Sequence, residues 1–172
     1  EGHEADKWLE KGIQVLSTEL EEQILSDGGH FELSPMYHAL VVEDFLDIVN
    51  LARVFGRDAD VVRIEEVLPS MLVWLKLMSH PDGKISFFND SATNIAPENS
   101  QIFGYAKRLG IEFNKTFGHN ILPESGYFRL ENLQSVLIGD VGRIGPDYLP
   151  SHAHADTLSF ELSIFGQRVF VN

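Results

Sequence analysis

The chain has 172 residues, 44% of them hydrophobic, which is enough to bury a core of its own in one or two domains. Its 26 acidic against 13 basic residues leave a formal charge of −13, which argues against nucleic-acid binding because phosphate contacts need concentrated Lys and Arg. It has no cysteine, which removes disulfides and thiolate metal sites, and no apolar run approaches the roughly 20 residues of a membrane span. The opening Glu1-Gly2-His3-Glu4 is not a signal peptide, so any export signal would lie upstream of this segment.

The first predicted helix covers about Ala5 to Leu25, with Leu9, Ile13, Leu16, Leu20 and Ile24 recurring at spacings of three and four. Next, Asp27-Gly28-Gly29-His30-Phe31-Glu32-Leu33-Ser34-Pro35-Met36-Tyr37-His38 gathers histidines, carboxylates and a tyrosine around a helix start. Ser34 suits the N-cap and Pro35 the first helical position, where its missing N–H costs nothing. Tyr37 then falls in the first turn, where the positive helix end and unpaired N–H groups favour a tyrosine acting as a base. Val41, Phe45, Ile48, Ala52 and Phe55 continue that second helix. A third runs from about Val61 to Met78 with a bend expected at Pro69. A turn at His80 to Gly83, the segment Phe87-Phe88-Asn89-Asp90 and a short helix from about Pro97 to Leu109, stopped by Gly110, follow. Helices joined without intervening strands suggest antiparallel α-hairpins.

From Gly126 the period becomes two. Gly126 to Asn132 and Gln134 to Val141 read as paired strands, followed by an irregular loop from Gly142 to Ser151. Thr157 to Phe165 alternates strictly, with Leu158, Phe160, Leu162 and Ile164 on one face and Thr157, Ser159, Glu161 and Ser163 on the other. Gly166-Gln167 reads as a hairpin turn before a returning strand from Arg168 to Asn172. Such a sheet, of about four strands, needs a second layer, so the chain reads as a fragment cut inside a β domain, with that apolar stripe exposed. The chain is helical before about residue 118 and strand-like after it, which sets a boundary between a helical unit 1–118 and a β unit 119–172.

Ser151-His152-Ala153-His154-Ala155-Asp156 places two imidazoles and a carboxylate at alternate positions ahead of that strand. In extended backbone these would face one side, with small alanines leaving room for a ligand, and imidazole suits both metal binding and proton transfer. Three metal signatures fit poorly. A metallo-β-lactamase-like site needs a histidine where Thr157 stands, a cupin a glutamate nearer than Glu161, and an amidohydrolase a strand before the motif rather than after it.

Taken together, Asp-Gly-x-His-x-Glu-x-Ser-Pro-x-Tyr-His at 27–38, Pro-Asp-Gly with Phe-Asn-Asp at 81–90, and His-x-His-Ala-Asp-x-Leu-Ser-Phe-Glu-Leu at 152–162 resemble the heparinase II/III family of polysaccharide lyases, which includes related alginate lyases. The resemblance covers nearly the whole chain. It implies an α+β multidomain fold, part of an α/α-toroid followed by the start of an antiparallel β-sandwich. It also implies β-elimination on an acidic, uronate-containing polysaccharide, in the periplasm or outside the cell. By motif match Tyr37 abstracts the proton or protonates the leaving oxygen, and His152 faces the carboxylate or the abstracted proton. His30, Glu32 and His38 support the cleft or bind substrate. The resemblance makes His154 a zinc ligand, with zinc shaping the cleft floor in the full-length protein. The next ligand position, an aspartate in the family, is Asn172 here, so no tight zinc is expected in this chain alone. An Asn-His pair from an earlier helix and a later metal-binding histidine are absent; His119-Asn120 has the reverse order. Missing parts of the same polypeptide are expected to supply these and the basic residues that meet a polyanion. The competing readings are a non-catalytic carbohydrate-binding or surface-polysaccharide biosynthesis protein on the same scaffold, and a metal-dependent hydrolase using the 152–156 cluster.

Overall fold

A computed structural model describes residues 2–172 except 115–116, 147 and 149–150. Among the described residues the architecture is α+β: four α-helices and one five-stranded antiparallel sheet. The helices are α1 (His3–Gln23), α2 (Pro35–Val54), α3 (Val62–Leu77) and α4 (Asn99–Arg108), with a single 3₁₀ turn at Asp58–Asp60. The sheet runs in chain order through β1 (His119–Leu122), β2 (Tyr127–Glu131), β3 (Ser135–Asp140), β4 (Phe160–Ile164) and β5 (Gln167–Phe170).

The helices form where the period places them, but the buried face of α2 is shifted: of the predicted stripe only Phe45 is buried, Val41, Ile48 and Ala52 are half-buried, and Phe55, just past the helix, is exposed. Ser34 caps α2 by accepting from the Tyr37 N–H, with Pro35 at the first position. α3 continues through Pro69, and α4 closes at Gly110, whose φ of 71° suits a residue without Cβ. Val42, Leu46 and Val49 of α2 pack with Leu68, Leu72 and Leu75 of α3 and Ile102 of α4 in the main core. Only the last turns of α1 join it. Leu20 is buried, whereas Leu9, at the start of the predicted stripe, is exposed.

Three strand expectations change. β1 was not anticipated, because His-Asn-Ile-Leu is too short to show a period; it pairs with β2 through His119↔Leu130 to Leu122↔Tyr127. β4 begins at Phe160 rather than Thr157, since Leu158 has a φ of 73° and the Ser159 N–H turns back to the Asp156 carbonyl. The β4–β5 turn is Phe165-Gly166 rather than Gly166-Gln167. Ile164 pairs with Gln167, and φ is positive at both turn residues, as a type I′ turn requires. The predicted loop 142–151 lies partly outside the described residues.

The sheet reverses the usual sidedness of alternation. Glu161 and Ser163, on the polar face of β4, are the buried ones, turned towards the helical part beside Tyr127, Arg129, Val136 and Ile138. The apolar residues Phe128, Leu130, Leu137, Phe160, Leu162 and Ile164 point the other way, and Leu158 is 80% exposed in the turn before β4. A second core of Leu33, Trp74, Leu77, Met78, Phe88, Leu122, Tyr127, Val136 and Ile138 fills the space between α3 and the sheet.

Polar bonds in that seam explain why polar residues tolerate burial. His80 Nε2 donates to Glu161 Oε2 at 2.8 Å, its Nδ1 meets Ser163 Oγ at 2.7 Å, and the Phe87 N–H donates to Glu161 Oε1 at 2.6 Å. Arg168 grips Asp82 with two nitrogens and also donates to the Ile85 carbonyl. Arg129 donates to the Leu77 and Ser79 carbonyls, placing a cation at the C-terminal end of α3. Removing one member of a buried charged set leaves the others unpaired, which costs more than the set contributes. Glu161→Leu should therefore lower stability by about 3–5 kcal/mol, read as a shift of the urea midpoint. A loss below 1 kcal/mol would show that the seam does not depend on this carboxylate.

Candidate functional site

The site forms where the Asp27–His38 segment, the Phe87–Ser91 segment and the His152–Asp156 loop meet. The Asp27–Gly29 turn lies against α3 so closely that a Cβ on Gly28 would sit 2.5 Å from the Ser70 backbone. Asp27 Oδ2 accepts from the N–H groups of Glu124 and Ser125 and from the Ser125 hydroxyl, which ties this turn to the start of β2.

Asn89 organises the junction. Its amide donates to the Leu33 carbonyl (3.1 Å) and the Tyr127 hydroxyl (2.9 Å), while its side-chain oxygen accepts from the His154 N–H (3.1 Å). Its backbone N–H donates to Asp156 Oδ2 at 2.6 Å, and its φ of 55° is a conformation asparagine accepts more readily than most residues. The Tyr37 and His152 rings consequently come together, with centroids 3.9 Å apart and planes inclined by 35°, although the residues are 115 positions apart. His152 Nδ1 lies 3.1 Å from Asp90 Oδ2, and its Nε2 lies 3.9 Å from Glu32 Oε2.

His30 and His38 stand behind this group. His38 is fully buried; its Nε2 donates to the Met71 carbonyl (2.9 Å) and its Nδ1 accepts from the His30 N–H (3.2 Å), a pattern that fits the neutral ring. Burial pushes His38 down to about 3, with the Met71 bond opposing and His30 adding slightly. His38 therefore holds the His30 backbone and does not reach the cleft. Burial, aided by His152, lowers His30 to about 4. Its Nε2 pairs with Gln23 Oε1 at 3.3 Å, while its buried Nδ1 has no hydrogen bond and lies 3.9 Å from Glu32 Oε2.

His152, His154 and Asp156 do not form one cluster. The loop lacks the extended geometry that would align them. His152 joins Tyr37, whereas His154, Asp156 and Asn172 line a separate open pocket of about 640 Å³ with Phe87, Asn89 and Ser91. In that pocket Asp156 Oδ2 already accepts from the Asn89 N–H and, at 3.1 Å, from Asn172 Nδ2. Among the described residues no three His, Cys, Asp or Glu side chains are placed to hold a metal. One imidazole, one engaged carboxylate and an amide do not fit zinc, which takes three or four protein donors. The hydrolase reading loses its geometric basis with the cluster.

The sequence reading gave Asn89 and Asp90 no role at the site, although Phe-Asn-Asp belongs to the motifs that carry the resemblance. The Asn-Asp pair beside a Pro-Asp-Gly turn was the available signal, but nothing local ties it to residues more than 60 positions away.

The fold and site together define an α+β protein with a tyrosine–histidine contact at the seam of helices and sheet. The heparinase II/III N-terminus family matches residues 1–108 and the heparinase II/III-like C-terminal family residues 114–172; the chain belongs to the heparinase II/III family. It is similar to a heparin-sulfate lyase of Bacteroides stercoris, 27% identical over 183 residues, covering 97% of this chain and 27% of that protein. A heparin-sulfate lyase of Pedobacter heparinus is 33% identical over 94 residues, 51% of this chain and 14% of that protein. The crystal structure of heparinase III superposes with a TM-score of 0.82 at 24% identity, over 97% of this chain and 31% of that one, a likeness of fold. The chain thus spans less than a third of the length of each of these relatives.

The two buried histidines predict acid sensitivity. The unfolded chain protonates them near pH 6.5, while the folded chain resists until about 4 for His30 and about 3 for His38. Their contribution to stability is complete above pH 6.5 and falls as pH drops towards those values. Asp140, raised from 3.8 to about 6 by burial, works in the opposite sense, stabilising most below pH 3.8 and losing that contribution as pH rises through 6. His38→Gln should therefore lower stability at pH 7 yet flatten the loss between pH 6.5 and 4 in urea titrations; an unchanged slope would remove His38 as a source. For the pocket beside Asn172, elemental analysis of the 172-residue chain equilibrated with zinc should find less than stoichiometric metal.

Proposed function

We propose that this chain is part of a polysaccharide lyase that cleaves a uronate-containing polysaccharide by β-elimination. The observation that carries the reading is the contact of Tyr37 with His152. Two ionisable rings of these types, brought from distant segments to 3.9 Å at a cleft, suit a reaction that moves one proton off a carbon and another onto an oxygen. The C5 proton of the uronate is hard to remove because the adjacent carboxylate resists further negative charge. Tyr37 takes that proton or returns one to the leaving oxygen. The C5–H electron pair forms the C4–C5 double bond as the C4–O bond breaks, and the departing oxygen receives a proton. His152 faces the carboxylate or the abstracted proton. Glu32, His30 and His38 support this pair from behind.

The relatives named as heparin-sulfate lyases make a heparan-type glycosaminoglycan the first substrate to test. We read the helices as an arc of an α/α-toroid and the sheet as one layer of a β-sandwich. Two exposed apolar surfaces support this: Trp8, Leu51 and Phe55 on the helices, and the outward face of β4 with Phe160 at 47% exposure. Neighbouring hairpins and a second sheet would cover them.

β-Elimination leaves an unsaturated uronate that absorbs in the ultraviolet, which hydrolysis and simple binding do not. The full-length protein should generate that absorbance on at least one of heparan sulfate, chondroitin, hyaluronan and alginate. Tyr37→Phe keeps the ring and removes the ionisable hydroxyl; it should reduce turnover at least 100-fold, of the order that general acid–base catalysis supplies, with an unchanged melting temperature. Retention of most activity would take Tyr37 out of the mechanism.

A further inference from the structure

We infer that Asp90 is a positioning residue for His152, fixing which imidazole nitrogen faces the cleft. The inference rests on the lyase reading for its catalytic consequence, but the geometry stands apart from it. Two hydrogen bonds join the same two residues. The Asp90 N–H donates to the His152 carbonyl at 3.0 Å, and Asp90 Oδ2 lies 3.1 Å from His152 Nδ1.

A carboxylate can only accept, so the proton of this contact sits on Nδ1. A neutral His152 then carries its lone pair on Nε2, the nitrogen 3.9 Å from Glu32. Without Asp90 the ring would keep the ring-face contact with Tyr37 and, on its other edge, Glu32 at 3.9 Å from Nε2, too far for a hydrogen bond. A half-turn about the Cβ–Cγ bond would exchange Nδ1 for a carbon and withdraw Nε2 from the site.

The backbone bond makes the arrangement stiff. Asp90 is partly open to solvent, and a lone exposed contact of this kind would contribute little. Here the Asp90 main chain is anchored to the His152 main chain, while its neighbour Asn89 bonds the His154 N–H and Asp156. Residues 89–90 thus grip the 152–156 loop at four points, and the Asp90 carboxylate has little freedom to leave the imidazole.

The test uses the full-length protein with Asp90→Leu, which removes the acceptor, and Asp90→Asn, whose amide oxygen can still accept from Nδ1–H; both retain the backbone N–H. Outer-shell partners that orient a histidine typically contribute 10–100-fold to function. Asp90→Leu should therefore lower kcat about 10–100-fold with KM within about twofold of wild type. Asp90→Asn should recover most of that loss. Equal losses in both variants with a raised KM and lowered melting temperature would overturn the proposal in favour of a purely structural role, as would an unaffected kcat in Asp90→Leu. Nitrogen-15 spectra of histidine-labelled protein, with His152 assigned from its own Gln variant, decide the geometry without reference to activity. A neutral His152 protonated on Nδ1 in wild type and redistributed in Asp90→Leu supports the proposal, and one protonated on Nε2 in wild type overturns it. Absence of ultraviolet-absorbing product from wild type on every uronate polysaccharide would sink the lyase reading alone, and the spectra would still decide the role of Asp90.

Discussion

A single asparagine side chain joins the parts from which the cleft is built. Asn89 uses both amide protons and its oxygen on three different segments: the approach to α2 at Leu33, the sheet at Tyr127 and the histidine loop at His154. Buried amides are costly unless each polar atom is paired, so these partners constrain one another. Tyr37 is placed by the capped start of α2, a few residues after Leu33. His152 is placed by the loop that Asn89 and Asp90 hold. The closeness of the two rings follows from the junction between their segments more than from any attraction between the rings themselves.

The same logic governs the sheet. A strand reading Leu-Ser-Phe-Glu-Leu-Ser-Ile offers one apolar and one polar face, and hydrophobic burial alone would turn the apolar one towards the helices. In the structure Glu161 and Ser163 face the helices because His80, Arg168 and the Phe87 N–H are there to meet them. The apolar face is left to the outside. Charge complementarity chose the orientation between two sides that both needed covering.

The helices were legible in the sequence because period, cap and stop agreed locally: Ser34-Pro35 opened α2, and Gly110 closed α4. The paired strands β2 and β3 were legible from their alternation, with Asn132, Leu133 and Gln134 between them. β1 was not, since four residues carry no measurable period. Nor was the start of β4, because a leucine in left-handed backbone leaves no mark in an alternating pattern. At the site, Tyr37 and His152 were visible as types suited to proton transfer and Glu32 as a supporting residue, and the three lie together. The supposed unity of His152, His154 and Asp156 was an artefact of assuming an extended backbone; the bonds from Asn89 and Asp90 bend that loop and send its side chains to two different places. Those bonds span more than sixty positions, and no local pattern announces them.

Arg129 on β2 and Glu161 on β4 carry a consequence for how such proteins can recombine. Each is matched across the seam as well as within the sheet: Arg129 by the carbonyls of Leu77 and Ser79 besides Glu131, Glu161 by His80 just beyond α3 besides Arg168. Two segments that are recognisable as separate sequence families are thus keyed to each other by buried charge. A chimera that joined the helical segment of one relative to the sheet of another at residues 109–113 would inherit a cut in the right place and still fail unless both keys came with it. Natural exchange between such modules would be restricted to pairs whose seams already agree.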